Sequence, residues 1–256
     1  MTSGNALRKV AEVTLVFWAM KICATTLGET AGDLLSMTMD IGYGVSSLLL
    51  LGFFVITLIA QLRSAKFHPG LYWAVIVSTS TAGTTLSDYM DRTLGLGYAT
   101  GSLILVGLLL TSLVLWHRSE GTLSVKDISS LRPELFYWIT ILISNTLGTA
   151  LGDFLADDSG LGFGGGALLI GTCLIGLGVL YYATSISRVV LFWIAFVLTR
   201  PFGATFGDLL TKTTDKGGLD LGTLGSSAVL FAILLVLVAR AITLERRAQV
   251  RLRFSS

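Results

Sequence analysis

Four times along the chain a Trp is followed fifteen residues later by an Asp: Trp18 and Asp33, Trp73 and Asp88, Trp138 and Asp153, Trp193 and Asp208. The segments FWAMKICATTLGETAGD, YWAVIVSTSTAGTTLSD, YWITILISNTLGTALGD and FWIAFVLTRPFGATFGD align without gaps. A repeat of this length is one supersecondary unit, and it buries its apolar face only against neighbouring copies. Successive Trp residues stand 55, 65 and 55 apart. Repeats one and two therefore pair against three and four, joined by a longer polar link around His117 to Pro133. We divide the chain there, into a first repeat pair (1–120) and a second pair with a basic tail (121–256).

Each repeat contains two apolar runs, at 13–33 and 44–62, 70–88 and 98–116, 134–153 and 163–182, and 189–208 and 221–239. Each is near the ~20 residues that carry a helix across a ~30 Å hydrocarbon core. Apolar residues make up 53% of the chain and charged residues 13%, against about a quarter charged in a soluble domain. The expected fold class is all-α transmembrane: an eight-helix bundle of four parallel two-helix repeats with internal pseudo-symmetry. Loops of Gly42-Tyr43-Gly44 type separate the two runs, and Gly217-Gly218 is the less well matched counterpart in repeat four. Arg8 and Lys9 before Val10 look like the start of a signal peptide. The same segment recurs downstream, so we expect it to remain in the mature protein.

Thirteen Lys and Arg residues lie in the N-terminus, the inter-repeat links and the tail, and three (Arg92, Lys212, Lys216) lie in the intra-repeat loops. The basic side is expected in the cytoplasm. That gives a multi-pass protein of a bacterial inner membrane with both termini inside, all repeats in one orientation, and the Asp-rich loops outside. The basic tail, Arg246 to Arg253, suits anionic headgroups and is too short to argue for nucleic acid.

Stepping back four and eight residues from each Asp traces one helix face. The first stripe reads Asp33, Glu29, Thr25 and then Lys21; the second, Asp88, Thr84, Ser80. The third reads Asp153, Thr149, Asn145, and the fourth Asp208, Ala204, Arg200. Polar groups at such depth are expensive against lipid, so the stripes are expected to share an interior. Structural alternatives stand beside that reading. The aspartates could simply end helices as solvated loop residues. Lys21 and Glu29 could form a structural pair, and Arg200 could cap carbonyls freed by Pro201. The four Trp residues read as interface anchors at the helix entrances. Gly28 and Gly32, Gly83 and Ser87, Gly148 and Gly152, and Gly203 and Gly207 have small-xxx-small spacing that brings helix backbones close in lipid.

The layout resembles a bacterial membrane-protein family with four tandem repeats, each with two hydrophobic segments and a prominent Trp. VTLVFWAMKICATTLGETAGDLLS is its most specific stretch. The resemblance implies topology and no settled activity. Arg200-Pro201 departs from the pattern, where other repeats have Thr25-Thr26, Ser80-Thr81 and Asn145-Thr146.

No P-loop, HExxH motif or Cys/His metal spacing is present, nor a nucleophile with a base, so no enzyme activity and no cofactor are expected. Cys23 and Cys173 read as packing residues. The expected function is a secondary transporter or channel for a small ion, most readily a metal cation. Glu29, Asp33, Asp88, Asp153 and Asp208 would supply carboxylate ligands. Thr25, Ser80, Asn145, Lys21 and Arg200 would complete the lining, the last two as tethered cations that also admit an anionic substrate. Membrane lipids are the expected partners, and an oligomer is admitted. The alternative is a non-transporting membrane scaffold or sensor.

Overall fold

A computed structural model describes residues 9–254, with side chains through Arg247 apart from Asp127. Arg8 and the tail side chains beyond Arg247 therefore lie outside the described residues. Every described segment is helix or connection: α1 (Leu15–Asp33), α2 (Tyr43–Arg63), α3 (Pro69–Asp88), α4 (Tyr98–Glu120), α5 (Leu131–Asp153), α6 (Gly162–Ala183), α7 (Arg188–Thr211) and α8 (Thr223–Phe254). Local chemistry sets the starts. The Thr14 hydroxyl accepts from the Phe17 N–H ahead of α1, and Pro69 opens α3, where its missing N–H costs nothing.

Six helices, α2 and α4 through α8, are long and apolar enough to cross a membrane. The two outside that group, α1 and α3, carry Lys21 and Glu29 in one case and a run of Ser and Thr in the other. Those residues are buried inside the protein, so neither helix needs an apolar surface all round.

The odd helices form a closed ring, α1 on α3, α3 on α5, α5 on α7 and α7 back on α1. Each even helix packs outside the next repeat's odd helix: α2 on α3, α4 on α5, α6 on α7, and α8 on α1. No repeat buries its own hairpin face, so the four copies close only as a set. The even helices turn Leu48, Ile56, Leu103, Leu168, Leu224 and Val229 outward, as lipid contact requires.

The small residues set the approach distance within the ring. The place of a Cβ on Gly28 is filled by Ser80, on Gly83 by Asn145, on Gly148 by Arg200, and on Gly203 by Thr25. These are the equivalent stripe positions taken once around the ring. One layer outward, Gly32 meets Thr84, Gly152 meets Ala204 and Gly207 meets Glu29. The packing reading of the small residues therefore holds, because each of these glycines seats a side chain of the next helix, polar in every case but Ala204.

Two expectations are corrected. Three of the four Trp residues are not interface anchors: Trp73, Trp138 and Trp193 are buried, and only Trp18 is half-exposed. They join Phe17, Tyr72, Tyr137 and Phe196 in an aromatic layer across the link-side end of the ring. The fourth loop is also matched differently. Each even helix follows a three-residue turn with left-handed backbone at its first and third positions, Asp40-Ile41-Gly42, Gly95-Leu96-Gly97, Gly160-Leu161-Gly162 and Asp220-Leu221-Gly222. Only Gly takes that conformation without strain at the third position. The counterpart in repeat four is thus Gly222, not Gly217-Gly218, and its loop holds five extra residues.

Candidate functional site

Asp33, Asp88, Asp153 and Asp208 are 2–3% exposed. They do not end their helices. After Asp33, Asp88 and Asp153 the chain continues for five residues as a π-helical turn, closed by the amides of Met39, Leu94 and Ser159 on the carbonyls of Leu34, Tyr89 and Phe154. After Asp208 the α-helix runs on to Thr211. The carboxylates therefore stand inside the ring, and the solvated helix-end reading is overturned. Wide turns of this kind recur at functional sites.

Two basic residues from the loops hold the four acids. Arg92 Nε lies 3.0 Å from Asp88 Oδ1, and its Nη2 donates to Asp153 Oδ2 at 3.1 Å. Lys212 Nζ lies 2.5 Å from Asp33 Oδ2 and 3.1 Å from Asp208 Oδ1. Each cation joins its own repeat's Asp to the next one around the ring. Repeats one and three have Met37 and Asp157 at the equivalent position, so the ring of four acids carries only two-fold charge symmetry. These partners escaped the sequence reading, which counted Arg92 and Lys212 as outward loop charges. The available signal was a basic residue four positions after the Asp in even repeats only.

One turn deeper, Arg200 is fully buried and pairs with Glu29, Nη1 to Oε2 at 2.9 Å. Its Nη2 donates to the Thr84 and Thr149 hydroxyls at 2.5 and 2.7 Å, and both hydroxyls also reach Glu29 Oε2. Glu29 thus pairs with Arg200 rather than Lys21. Arg200 serves this carboxylate and the Ser80 carbonyl rather than a carbonyl freed by Pro201. Thr25 donates to the carbonyls of Ile22 and Thr199, and Ser80 lies buried beside Gly28.

Deepest is Lys21, 0% exposed, with Nζ 4.0 Å from the Phe196 ring centroid and 3.5 Å from Asn145 Oδ1. Asn145 is oriented by its own donation to Thr79 at 3.0 Å. Among the described residues no carboxylate pairs with Lys21. Thr79 escaped the sequence reading, and Thr84 and Thr149 lay on the traced stripes without being assigned a part in the site.

The ten candidate residues come together as one column of layers. The five acids divide within it. Glu29, Asp33 and Asp208 each offer an oxygen within 4.8 Å of the others, a spacing that could hold a metal ion, whereas Asp88 and Asp153 are spanned by Arg92. Above the layer opens a vestibule of about 300 Å³ lined by Met37, Arg92, Asp157, Asp208, Lys212 and Lys216.

Cys23 donates to the Leu230 carbonyl at 3.4 Å, and Cys173 is exposed on α6. Only Cys23 fits the packing role expected for both.

No curated protein and no solved structure matches the chain. The family model described as Repeat of Unknown Function (DUF347) matches residues 16–67, 71–122, 136–187 and 191–247. The starts of these matches keep the Trp spacing, and the fourth is longer by the five residues of its extended loop. The chain belongs to the DUF347 family, as four tandem copies of its repeat closed into one ring.

Proposed function

We propose that the protein is a secondary transporter or channel for a small ion, most readily a metal cation, entering through the carboxylate ring. The observation that carries the reading is four buried aspartates held by two cations that belong to the chain itself. Burying acids is expensive, and pairing offsets the cost only while the cation stays in place. Lys212 and Arg92 sit at the vestibule rim with side chains 18% and 30% exposed, so water and ions can compete for their partners. A hard cation takes carboxylate oxygens, and Glu29, Asp33 and Asp208 would present three. An incoming ion would displace the Lys212 ammonium, a tethered surrogate for it. Lys21, deeper and without a carboxylate, would repel a cation that went further, and the aromatic layer closes the path below it.

In this reading the Lys and Arg distribution supports a bacterial inner membrane with both termini in the cytoplasm and the vestibule outside. The protein catalyses no reaction, binds no nucleic acid and carries no cofactor. Its partners are membrane lipids and the ion. A scaffold remains the second reading, favoured by the glycine-seated side chains that fill the middle of the ring.

Flux into proteoliposomes carrying an entrapped metal indicator tests the choice. Manganese, zinc and magnesium would be supplied in turn. Asp33→Asn should lower flux about tenfold with folded protein retained, and Asp158→Asn, exposed and outside the vestibule lining, should change it little. Absence of flux with all three ions would leave the scaffold reading, and equal flux in both variants would remove the carboxylate ring as the route of entry.

A further inference from the structure

A second cavity, about 610 Å³, opens at the other end of the molecule between α1, α6, α7 and the link before α5. Its walls include Trp18, Ile22, Leu174, Leu177, Gly178 and Phe192. It begins beside Arg188, the first residue of α7, and descends that helix to Thr199. Those twelve residues, eleven helical steps, span about 16 Å, close to half of a ~30 Å hydrocarbon core. The size lies within the ~300–1,000 Å³ of small-molecule sites.

The rim differs in kind from the walls. Lys126 and Arg188 are exposed there beside Ser124 and Thr14. Arg188 is held in place by its guanidinium, which lies 4.2 Å from the Tyr181 ring centroid and donates to the Tyr181 carbonyl. The link belongs to the one stretch that breaks the 55-residue period. Its 3₁₀ turn, Val125–Asp127, is fixed from both sides, by the Trp193 indole donating to the Leu123 carbonyl at 3.0 Å and by the Lys9 amide donating to the Ile128 carbonyl at 3.2 Å. The longer central link thus supplies both one wall of the groove and one of its charges.

We propose that this groove binds an anionic phospholipid, one acyl chain lying along α7 and the phosphate held by Lys126 and Arg188. An apolar slot of half-membrane depth accepts a chain, and two cations at the level of the helix starts meet a headgroup. A zwitterionic lipid offers the same chain without net charge to match the rim, so the site discriminates by headgroup. The proposal is independent of ion transport, since the groove shares no residue with the carboxylate ring.

The test uses the full chain in phosphatidylcholine nanodiscs with and without phosphatidylglycerol, read by thermal unfolding and by native mass spectrometry of lipid retained after release. Phosphatidylglycerol should be retained in preference and should raise Tm. The double variant Lys126→Gln, Arg188→Gln should weaken that retention by roughly thirtyfold, with Tm in phosphatidylcholine unchanged. Gly178→Phe attacks the other half of the site. A Cβ on this lining residue has open space within 4 Å, so a ring added at that wall should narrow the groove and exclude the acyl chain while both charges remain. Equal retention of both lipids by the wild type, or wild-type retention by either variant, would overturn the proposal. Stabilisation by inorganic phosphate alone, matching that by phosphatidylglycerol, would overturn the acyl-chain assignment.

Discussion

The same four helices are closed at their two ends by opposite physics. At the vestibule end, two loop cations span four aspartates. At the link end, Tyr72 and Tyr137 share a hydrogen bond of 2.6 Å amid rings in edge and tilted contact, Tyr72 to Trp138 at 5.5 Å and Trp116 to Trp193 at 5.5 Å. Beneath that layer, Lys9 and Glu134 form a buried pair at 2.7 Å, and Gln61 donates to Glu134 Oε1. Charge closure is exchangeable, because a mobile ion can replace the tethered one. Aromatic closure is not, because nothing in solution substitutes for a packed ring. One end of the ring is therefore suited to respond to ions, and the other to hold the four helices together.

The contrast is broken most directly at the aromatic end. Trp138→Ala removes a fully buried ring and should cost about 3–5 kcal/mol of stability, with no dependence on added divalent cation. Reversible unfolding in mixed micelles measures it, and a loss that divalent ions restore would mean the two ends are not distinct. Lys212→Met should cost less, about 2–3 kcal/mol, since the ammonium is partly exposed but leaves Asp33 and Asp208 without it. Here the added cation should recover most of the loss, because it can occupy the vacated carboxylates. A deficit that no cation relieves would remove the exchange argument.

The smallest effect sharpens the middle of the ring. In Gly83→Ala the new Cβ would stand 2.9 Å from the Asn145 carbonyl carbon, and the forced shift should cost about 1–2 kcal/mol. Gly107→Ala on α4, where a Cβ meets nothing within 4 Å, should be neutral or slightly stabilising. Equal stability of the two variants would show that the ring tolerates slack, and the glycine positions would then say nothing about how closely the odd helices must approach.

The sequence by itself determined the number of α-helices, the limits of the first seven within a few residues, and the common interior of the polar stripes, whereas α8 runs on from the expected 239 to Phe254. Those properties follow from the repeat, the hydropathy of its runs and the cost of turning Glu29 or Arg200 toward lipid, and all are local or periodic. Only the tertiary structure decided which groups meet. That Glu29 takes Arg200 and not Lys21 depends on α7 closing against α1, a contact 171 residues apart in the chain. The Trp residues read as anchors because an aromatic near a helix start fits either an interface or a core, and only the neighbouring helices choose. Arg92 and Lys212 were legible as loop charges but not as partners of the aspartates. Their direction is set by the turns after Asp88 and Asp208, and by the next repeat bringing Asp153 and Asp33 within reach.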